Sequence, residues 1–335
     1  MSAVDAHLPQ LWAMIIAFAA LLYVMLDGFD LGVGILFGTT DDEDFRRTMM
    51  NAVAPVWDGN ETWLIFVGAN LYGGFPIVYS ILLPAFYLPV TVLLVALILR
   101  GVAFEFRYKT QRFRWVWDWG FFLGSLAAAF VQGAAVGAIV DGIPVADGRF
   151  AGTPFGWVSA FALACGVGLV MGYMLIGAAW LVLKTEGPLR DWAYNRILPL
   201  GAGLLLFLVV AFGYALTEDL RVMHRWLERP WLLTFPLIGG VATLGLLAGL
   251  RRRADWVPFT AIACIFLAAF GTMAGSFWPY MIPFSVTIDE AASPLASLSF
   301  LFWGAGVVVM PIVLAYTVAV YWVFRGKVSD DAAYH

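Results

Sequence analysis

Histidine and cysteine are scarce in this sequence of 335 residues, and their positions exclude most metal chemistry within the chain. The three histidines, His7, His224 and His335, lie near a terminus or in a predicted loop, and none lies inside a long apolar run. Because haem iron is commonly held by axial histidine, we expect no haem ligand in this chain. The two cysteines, Cys165 and Cys264, are isolated within apolar runs, so we predict neither a disulfide framework nor a metal site.

Charged residues are also few. They make up 13% of the chain, whereas 62% of the residues are hydrophobic and 15 are tryptophan. The net charge of −4 and the lack of a basic patch argue against nucleic acid as a partner. Spans of about 20 apolar residues could fill almost the whole length, which predicts a protein embedded in a lipid bilayer. No Lys or Arg precedes the first apolar run, so we interpret that run as a retained span rather than a signal peptide.

The apolar runs predict an all-α integral membrane protein with a single membrane domain over residues 1–335. Connections are short, and no linker of Gly and Ser or low-complexity tract divides the chain. We predict nine transmembrane helices, at about 11–37, 52–74, 78–104, 116–140, 155–183, 195–217, 231–250, 256–280 and 295–324.

The distribution of basic residues predicts the orientation of this layout. On one side of the predicted membrane lie only Arg149, Arg221, Arg225 and Arg229, and the other 15 of the 19 Lys and Arg residues lie on the opposite side. Because cytoplasmic loops carry an excess of Lys and Arg, we predict an outside N-terminus and a cytoplasmic C-terminus.

Four acids occur within the first two predicted spans. Asp58 and Glu61 lie three residues apart in PVWDGNETW, on one side of a helix. Asp27 and Asp30 lie in DGFDLGVG near the inner end of the first helix. At about 1.5 Å rise per residue, the two pairs reach a similar depth in the cytoplasmic half of the membrane, and Arg100 of the third helix reaches the same level. We therefore predict a buried cluster of these five residues.

A carboxylate at the centre of a bilayer costs about 2.5–3.5 kcal/mol on insertion scales, and such residues often mark proton paths. We favour proton handling for the cluster, with structural hydrogen bonds or an Arg–Asp ion pair between helices as the alternative. Glu105 and Arg107 lie where the third helix leaves the membrane. We interpret them as a surface ion pair, with the mouth of a proton path as the functional alternative.

Five motifs span nearly the whole chain: DGFDLGVGIL (27–36), PVWDGNETWLI (55–65), RGVAFEFRYK (100–109), WDWGFFLGS (117–125) and MPIVLAYTVAVYW (310–322). With these motifs in this order, the sequence resembles subunit II of the cytochrome bd-type quinol oxidases. The compact length of the chain, together with Glu61 where many relatives carry Gln, is similar to the cyanide-insensitive branch of that family.

The resemblance implies a respiratory terminal oxidase of the bacterial cytoplasmic (inner) membrane. Such a complex oxidises quinol, reduces dioxygen to water and draws protons from the cytoplasm. In the family, subunit I holds the haems, haem b and haem d, together with the quinol loop, and a small single-helix third subunit is a further expected partner. Subunit II is a haem-free partner with nine helices, arranged as two four-helix bundles plus one further helix.

The resemblance also implies roles for individual residues. The proton path falls on Asp58 most directly, with Asp27, Asp30 and Glu61 in support and Arg100 as their charge partner. In some members an oxygen route passes near the tryptophan that matches Trp63, and Trp57 belongs to the same motif. In some members a structural quinone is bound in this subunit. Val56 stands where some members carry a histidine, so a proton role for that position is lost here.

Two alternatives come from other functional classes. A proton-coupled secondary transporter would also retain acids in its first helices. Transporters commonly contain inverted repeats with paired broken helices, whereas the last five predicted helices carry almost no interior charge. The other alternative is a scaffold that stabilises a haem-bearing partner and whose buried acids are purely structural.

Overall fold

The computed structural model describes residues 7–110, 112–218 and 221–328 of the chain. The first half contains the helices α1 (Leu8–Phe37), α2 (Glu43–Val53), α3 (Trp57–Gly74), α4 (Pro76–Ala85), α5 (Tyr87–Arg107) and α6 (Arg114–Asp141). The second half contains α7 (Ala160–Lys184), α8 (Gly187–Thr217), α9 (Arg221–Glu228), α10 (Thr234–Arg252), α11 (Trp256–Phe277), α12 (Ile288–Ala291), α13 (Leu295–Leu301) and α14 (Met310–Val323).

Short irregular elements connect these helices. Pro230–Leu233 form a 3₁₀ turn before α10, and Phe302–Val309 form π-helical turns between α13 and α14. Two small antiparallel hairpins lie in the connections after α6 and after α11. They pair β1 (Val145–Ala146) with β2 (Arg149–Phe150), and β3 (Tyr280–Ile282) with β4 (Val286–Thr287).

Eight helical segments of the described ranges are long and apolar enough to cross a membrane. The fold is therefore helical, as the composition predicts. The nine-helix count, the two-bundle arrangement and the orientation stay predictions. The eight segments are Leu8–Phe37, Tyr87–Arg107, Arg114–Asp141, Ala160–Lys184, Gly187–Thr217, Pro230–Arg252, Trp256–Phe277 and Leu295–Val323.

The predicted span 52–74 is not among these eight. In the structure this stretch comprises the end of α2, a break at residues 54–56 and then α3, because Pro55 lacks the N–H that a continuous helix requires. α3 has 18 residues, but it contains Asp58, Asn60, Glu61 and Asn70, which make it much less apolar than the eight segments named above.

Proline also divides the predicted helix 78–104. The structure has two helices here, α4 and α5, which meet at Phe86. Pro89 cannot donate a hydrogen bond to the carbonyl of Ala85, so the helical ladder is interrupted at this point. Other boundaries also move: α7 begins at Ala160 rather than 155, after the β1–β2 hairpin, and α8 begins at Gly187 rather than 195, with Pro188 in its first turn.

α1 is the central helix, and it packs against α3, α6 and α7. The closest approach is to α7, where a Cβ on Gly32 would stand 1.7 Å from the carbonyl oxygen of Tyr173. On the facing helix, α7, a Cβ on Gly177 would stand 2.6 Å from the carbonyl carbon of Gly32. The two backbones touch because neither residue has a side chain, which is the usual role of small residues in membrane helix packing.

One end of the helical assembly, which we name the basic end, comprises residues 38–42, 108–110, 112–113, 185–186, 253–255 and 324–328. Contacts between side chains join these segments. Arg107 pairs with Glu43, and Lys327 pairs with Asp255. The rings of Phe45 and Trp192 lie 6.0 Å apart and connect the two groups.

Asp255 is the most heavily bonded acid of the basic end. Its carboxylate accepts hydrogen bonds from Arg190, Tyr194 and Lys327, at 2.6–2.9 Å. Partial burial acts to raise the pKa of Asp255, but these hydrogen bonds outweigh it and hold that pKa below its ordinary value. The carboxylate thereby ties the start of α11 to α8 and to the segment after α14.

Candidate functional site

Arg100 of α5 lies at the centre of a buried ionic cluster between α1, α3 and α5. Its Nη1 is 3.1 Å from Asp27 Oδ1 and 2.8 Å from Glu61 Oε1, and its Nη2 is 3.9 Å from Asp30 Oδ2. Arg100, Asp27 and Asp30 are 0% exposed, and the Glu61 side chain is 21% exposed. The structure therefore brings together four of the five residues predicted to cluster.

Two further polar residues extend this cluster. Asn60 of α3 donates from Nδ2 to Asp30 Oδ2 at 2.6 Å and to the carbonyl of Leu26 at 3.2 Å. The hydroxyl of Tyr321, on α14, donates to Asn60 Oδ1 at 3.0 Å. A chain of hydrogen bonds thus leads from Asp30 through Asn60 to the last long helix.

The cluster contains more acid than base. Three carboxyl groups face one guanidinium, and within the described residues Asp27 Oδ2, Asp30 Oδ1 and two nitrogens of Arg100 have no hydrogen-bond partner in the protein. A buried charge is costly unless it is paired and hydrogen-bonded. A group of carboxyls that share a single cation has the composition of a site that can take up and release a proton.

Asp58 lies outside this buried cluster, contrary to the sequence prediction. It is exposed on the outer side of α3, one turn before Glu61. Because three residues rotate a helix by about 300°, Asp58 and Glu61 differ by about 60° in direction. That offset is enough for Glu61 to reach Arg100 while Asp58 faces away from the protein.

Both tryptophans of the second motif pack against aromatic neighbours. Trp57 is half-buried and stacks on Phe104 with ring centroids 5.0 Å apart. Trp63 is completely buried, 6.0 Å from the ring of Phe66, and its cluster includes Met310 of α14. Both tryptophans therefore take part in aromatic packing, and the oxygen route stays a prediction.

Glu105 and Arg107 do not pair with each other. Glu105 is exposed and pairs with Lys109 at 3.3 Å. Arg107 is only 1% exposed, and it contacts Asp118 at 2.5 Å and Glu43 at 2.9 Å. The interpretation as a mutual surface pair is wrong, because residues two apart point to opposite sides of a helix, and α2 and α6 cover the side that carries Arg107.

The described histidines and cysteines do not assemble a metal site. His7 precedes α1 and His224 lies on α9, so both are outside the long apolar helices, and His335 lies outside the described residues. Cys165 and Cys264 are free thiols on different helices, α7 and α11. Within the described ranges no three His, Cys, Asp or Glu residues are grouped so that they could hold a metal ion.

Sequence reasoning missed Asn60 and Tyr321 in the cluster, and Glu43 and Asp118 as partners of Arg107. Asn60 gave one signal, because it is an amide on the same side of α3 as the buried Trp63. Tyr321 lies in the fifth motif, but nothing in the sequence relates it to Asn60, which is 261 residues away.

Comparisons with known proteins show which family the chain is similar to. The family described as cytochrome bd terminal oxidase subunit II matches residues 8–324. The chain is 30% identical to cytochrome bd-I ubiquinol oxidase subunit 2 of Escherichia coli K12, over 96% of this chain and 95% of that one. It is 29% identical to cytochrome bd ubiquinol oxidase subunit 2 of Bacillus subtilis 168, over 97% and 98%.

The fold is similar to a solved structure as well. A chain in the structure of bd oxidase from Geobacillus thermodenitrificans matches with a TM-score of 0.73 at 16% identity. The match covers 95% of this chain and 99% of that chain. The helical arrangement is therefore shared along nearly the full length.

Proposed function

Because the chain belongs to the cytochrome bd terminal oxidase subunit II family, we propose that it is the haem-free subunit of a complex that oxidises quinol and reduces dioxygen to water. Family membership and the eight apolar helices make it a multi-pass protein of the bacterial inner membrane. Membership also favours an oxidase subunit over the secondary transporter. In the proposed complex this chain stabilises subunit I and gives protons a route from the cytoplasm.

Haem b and haem d belong to subunit I in this proposal. The described histidines support this assignment, because His7 and His224 lie outside the apolar helices and do not fit a haem within this chain. When bound, the haems supply electron transfer and the reduction of dioxygen. A structural quinone in this subunit and a small third subunit remain expectations from the resemblance.

The single observation that carries the proton route is the cluster around Arg100. Asp27, Asp30 and Glu61 converge on one guanidinium that is completely buried. Ionisable residues within a membrane span commonly mark proton relays. The excess of Lys and Arg at the basic end supports a cytoplasmic position for that end, so protons would reach the cluster from there.

The outer side of α3 is the proposed contact surface for subunit I. Its exposed residues recur at intervals of four and three along the helix: Asp58, Thr62, Ile65, Ala69 and Tyr72. A carboxylate at this depth is costly against lipid tails, and a partner subunit would remove Asp58 from them. α3 would then be the ninth spanning helix, covered on both sides, in the predicted arrangement of two four-helix bundles and one further helix.

Substitution of Asp58 by Asn in the assembled oxidase tests this function. Asn keeps the size of the side chain but cannot carry the proton, so we expect slower oxygen consumption with a normal haem spectrum. Glu186→Gln, at an acid of the basic end whose side chain is 76% exposed, is the control and should leave turnover unchanged. Normal turnover in Asp58→Asn with normal haem content would remove Asp58 from the proton route and favour the scaffold role for this residue.

A further inference from the structure

A cavity of about 580 Å³ lies at the basic end, beside the break between α2 and α3. The break at Pro55 leaves this space open between α1, α7, α11 and the end of α14. A water molecule occupies about 30 Å³ in the liquid, so the cavity has room for several. Its wall contains Leu26, Asn51, Ala52, Pro55, Val56, Trp180, Leu183, Lys184, Phe259, Tyr321, Val323, Phe324 and residues 325–328.

Tyr321 connects this cavity to the buried cluster. Its ring lies in the inner wall, and its hydroxyl donates to Asn60, which in turn donates to Asp30. The wall around it is apolar and aromatic: Tyr321 makes edge contacts with Phe29 and Trp180, and Leu26 lies beside them. The hydroxyl is thus a polar group in an apolar wall, between the cavity and the acids.

The lysines at the mouth already have partners. Lys184 Nζ donates to the carbonyls of Phe324 and Gly326, and Lys327 Nζ donates to the carbonyl of Thr185 and to Asp255. Both hold the segment after α14 in place, so neither is free to bind an anionic ligand. The third cation of the wall, Arg325, is exposed and lies over the ring of Trp322, 5.1 Å from its centroid.

We propose that this cavity admits protons from the cytoplasm and that Tyr321 and Asn60 position Asp30 to receive them. The inference rests on the proposed proton route and names where that route begins. A hydrated proton enters by the cavity, passes beside the Tyr321 hydroxyl and gives its proton to a carboxylate oxygen of Asp30, which lies behind the cavity wall, and a neutral water molecule remains. Tyr321 supplies the polar group of the wall, and Asn60 orients the carboxylate by donating to it.

The first test is Tyr321→Phe in the purified, assembled oxidase. The ring and its aromatic contacts remain, but the polar contact in the wall is lost. We expect roughly tenfold slower turnover, which corresponds to about 1.4 kcal/mol of barrier, a normal haem spectrum and a larger solvent deuterium isotope effect. Tyr214→Phe, in α8 where the ring stacks on Phe161, is the control. Unchanged turnover and isotope effect in Tyr321→Phe would overturn the proposal.

A second test leaves Tyr321 intact and so remains decisive if Tyr321→Phe fails to assemble. Leu183→Cys is made in a Cys165→Ala, Cys264→Ala background and treated in inside-out vesicles with a cationic methanethiosulfonate reagent. We expect labelling and slowed turnover, whereas Leu205→Cys, 56% exposed on α8, should not react. Absence of labelling, as a lipid-filled cavity would give, overturns the proposal. So does full labelling without loss of turnover.

These tests are separable from that of the proposed function. If Asp58→Asn slows turnover while both cavity tests fail, the proton route stands and its beginning at this cavity is wrong. If Asp58→Asn has no effect but the cavity variants do, the route to Asp30 stands and the role of Asp58 is wrong.

Discussion

Replacement of Arg100 by Met should destabilise this subunit more than any single surface substitution. The guanidinium contacts three carboxyl groups, two of them at 3.1 Å or less, and it is completely buried. Removal of one partner of a buried ion pair costs about 3–5 kcal/mol, because the remaining charge stays buried without compensation. Met keeps most of the side-chain volume, so lost charge rather than a cavity accounts for the effect.

The assay is thermal unfolding of the purified complex, combined with its haem content. At about 2–4 °C for each kcal/mol, a loss of 3 kcal/mol or more lowers Tm by at least roughly 6 °C. Lys109→Met removes an exposed cation that pairs with Glu105 at 3.3 Å, and such surface pairs contribute about 1 kcal/mol or less. It is therefore the matched control.

A double variant tests the cause of the loss. Asp27→Asn removes one of the charges that Arg100→Met leaves uncompensated, so the double variant should be less destabilised than the sum of the two single variants. The reasoning is refuted if Arg100→Met melts within about 2 °C of Lys109→Met, or if the two single effects simply add.

Two further predictions concern packing and pH. Gly32→Ala should reduce assembly, because its Cβ would stand 1.7 Å from the carbonyl oxygen of Tyr173. Gly240→Ala is the control and should assemble normally, because no atom lies within 4 Å of the new Cβ. The yield of intact complex after purification distinguishes the two variants. Asp255→Asn should lower Tm near neutral pH, and its difference from the unsubstituted protein should shrink as the pH falls below about 3.9, the ordinary carboxyl value. The sign follows because the pKa of Asp255 is held low in the folded state, so its stabilisation is complete above the unfolded pKa and disappears as the pH falls through the folded one. A difference that persists or grows in acid would contradict this assignment.

The class of protein and most of its spans could be predicted from the sequence, because apolar runs of about 20 residues match the thickness of the hydrocarbon core of a bilayer. The cluster of Asp27, Asp30, Glu61 and Arg100 was also accessible, since rise per residue and helix direction fix depth. Direction around a helix was harder. The three-residue spacing suggested one common side for Asp58 and Glu61, but the 60° between them decides which faces Arg100 and which faces outward.

Contacts between distant segments could not be predicted. Sequence proximity pairs Arg107 with Glu105, but the partners of Arg107 come from α2 and α6, which only the fold brings together. The bond from Tyr321 to Asn60 joins residues 261 positions apart. The helix breaks at Pro55 and Phe86 are caused by single prolines, Pro55 and Pro89, that lie within apolar runs. Hydropathy alone predicts one continuous helix at each of these places.

The most direct test of the proton route is electrical. The fully reduced oxidase in proteoliposomes is exposed to dioxygen, and the generation of membrane potential is followed in a single turnover beside haem oxidation. For Asp58→Asn the account predicts haem oxidation at the normal rate followed by slowed potential generation, while Glu186→Gln behaves like the unsubstituted protein. Potential generation that is equally fast in Asp58→Asn would contradict a proton route through this subunit at Asp58.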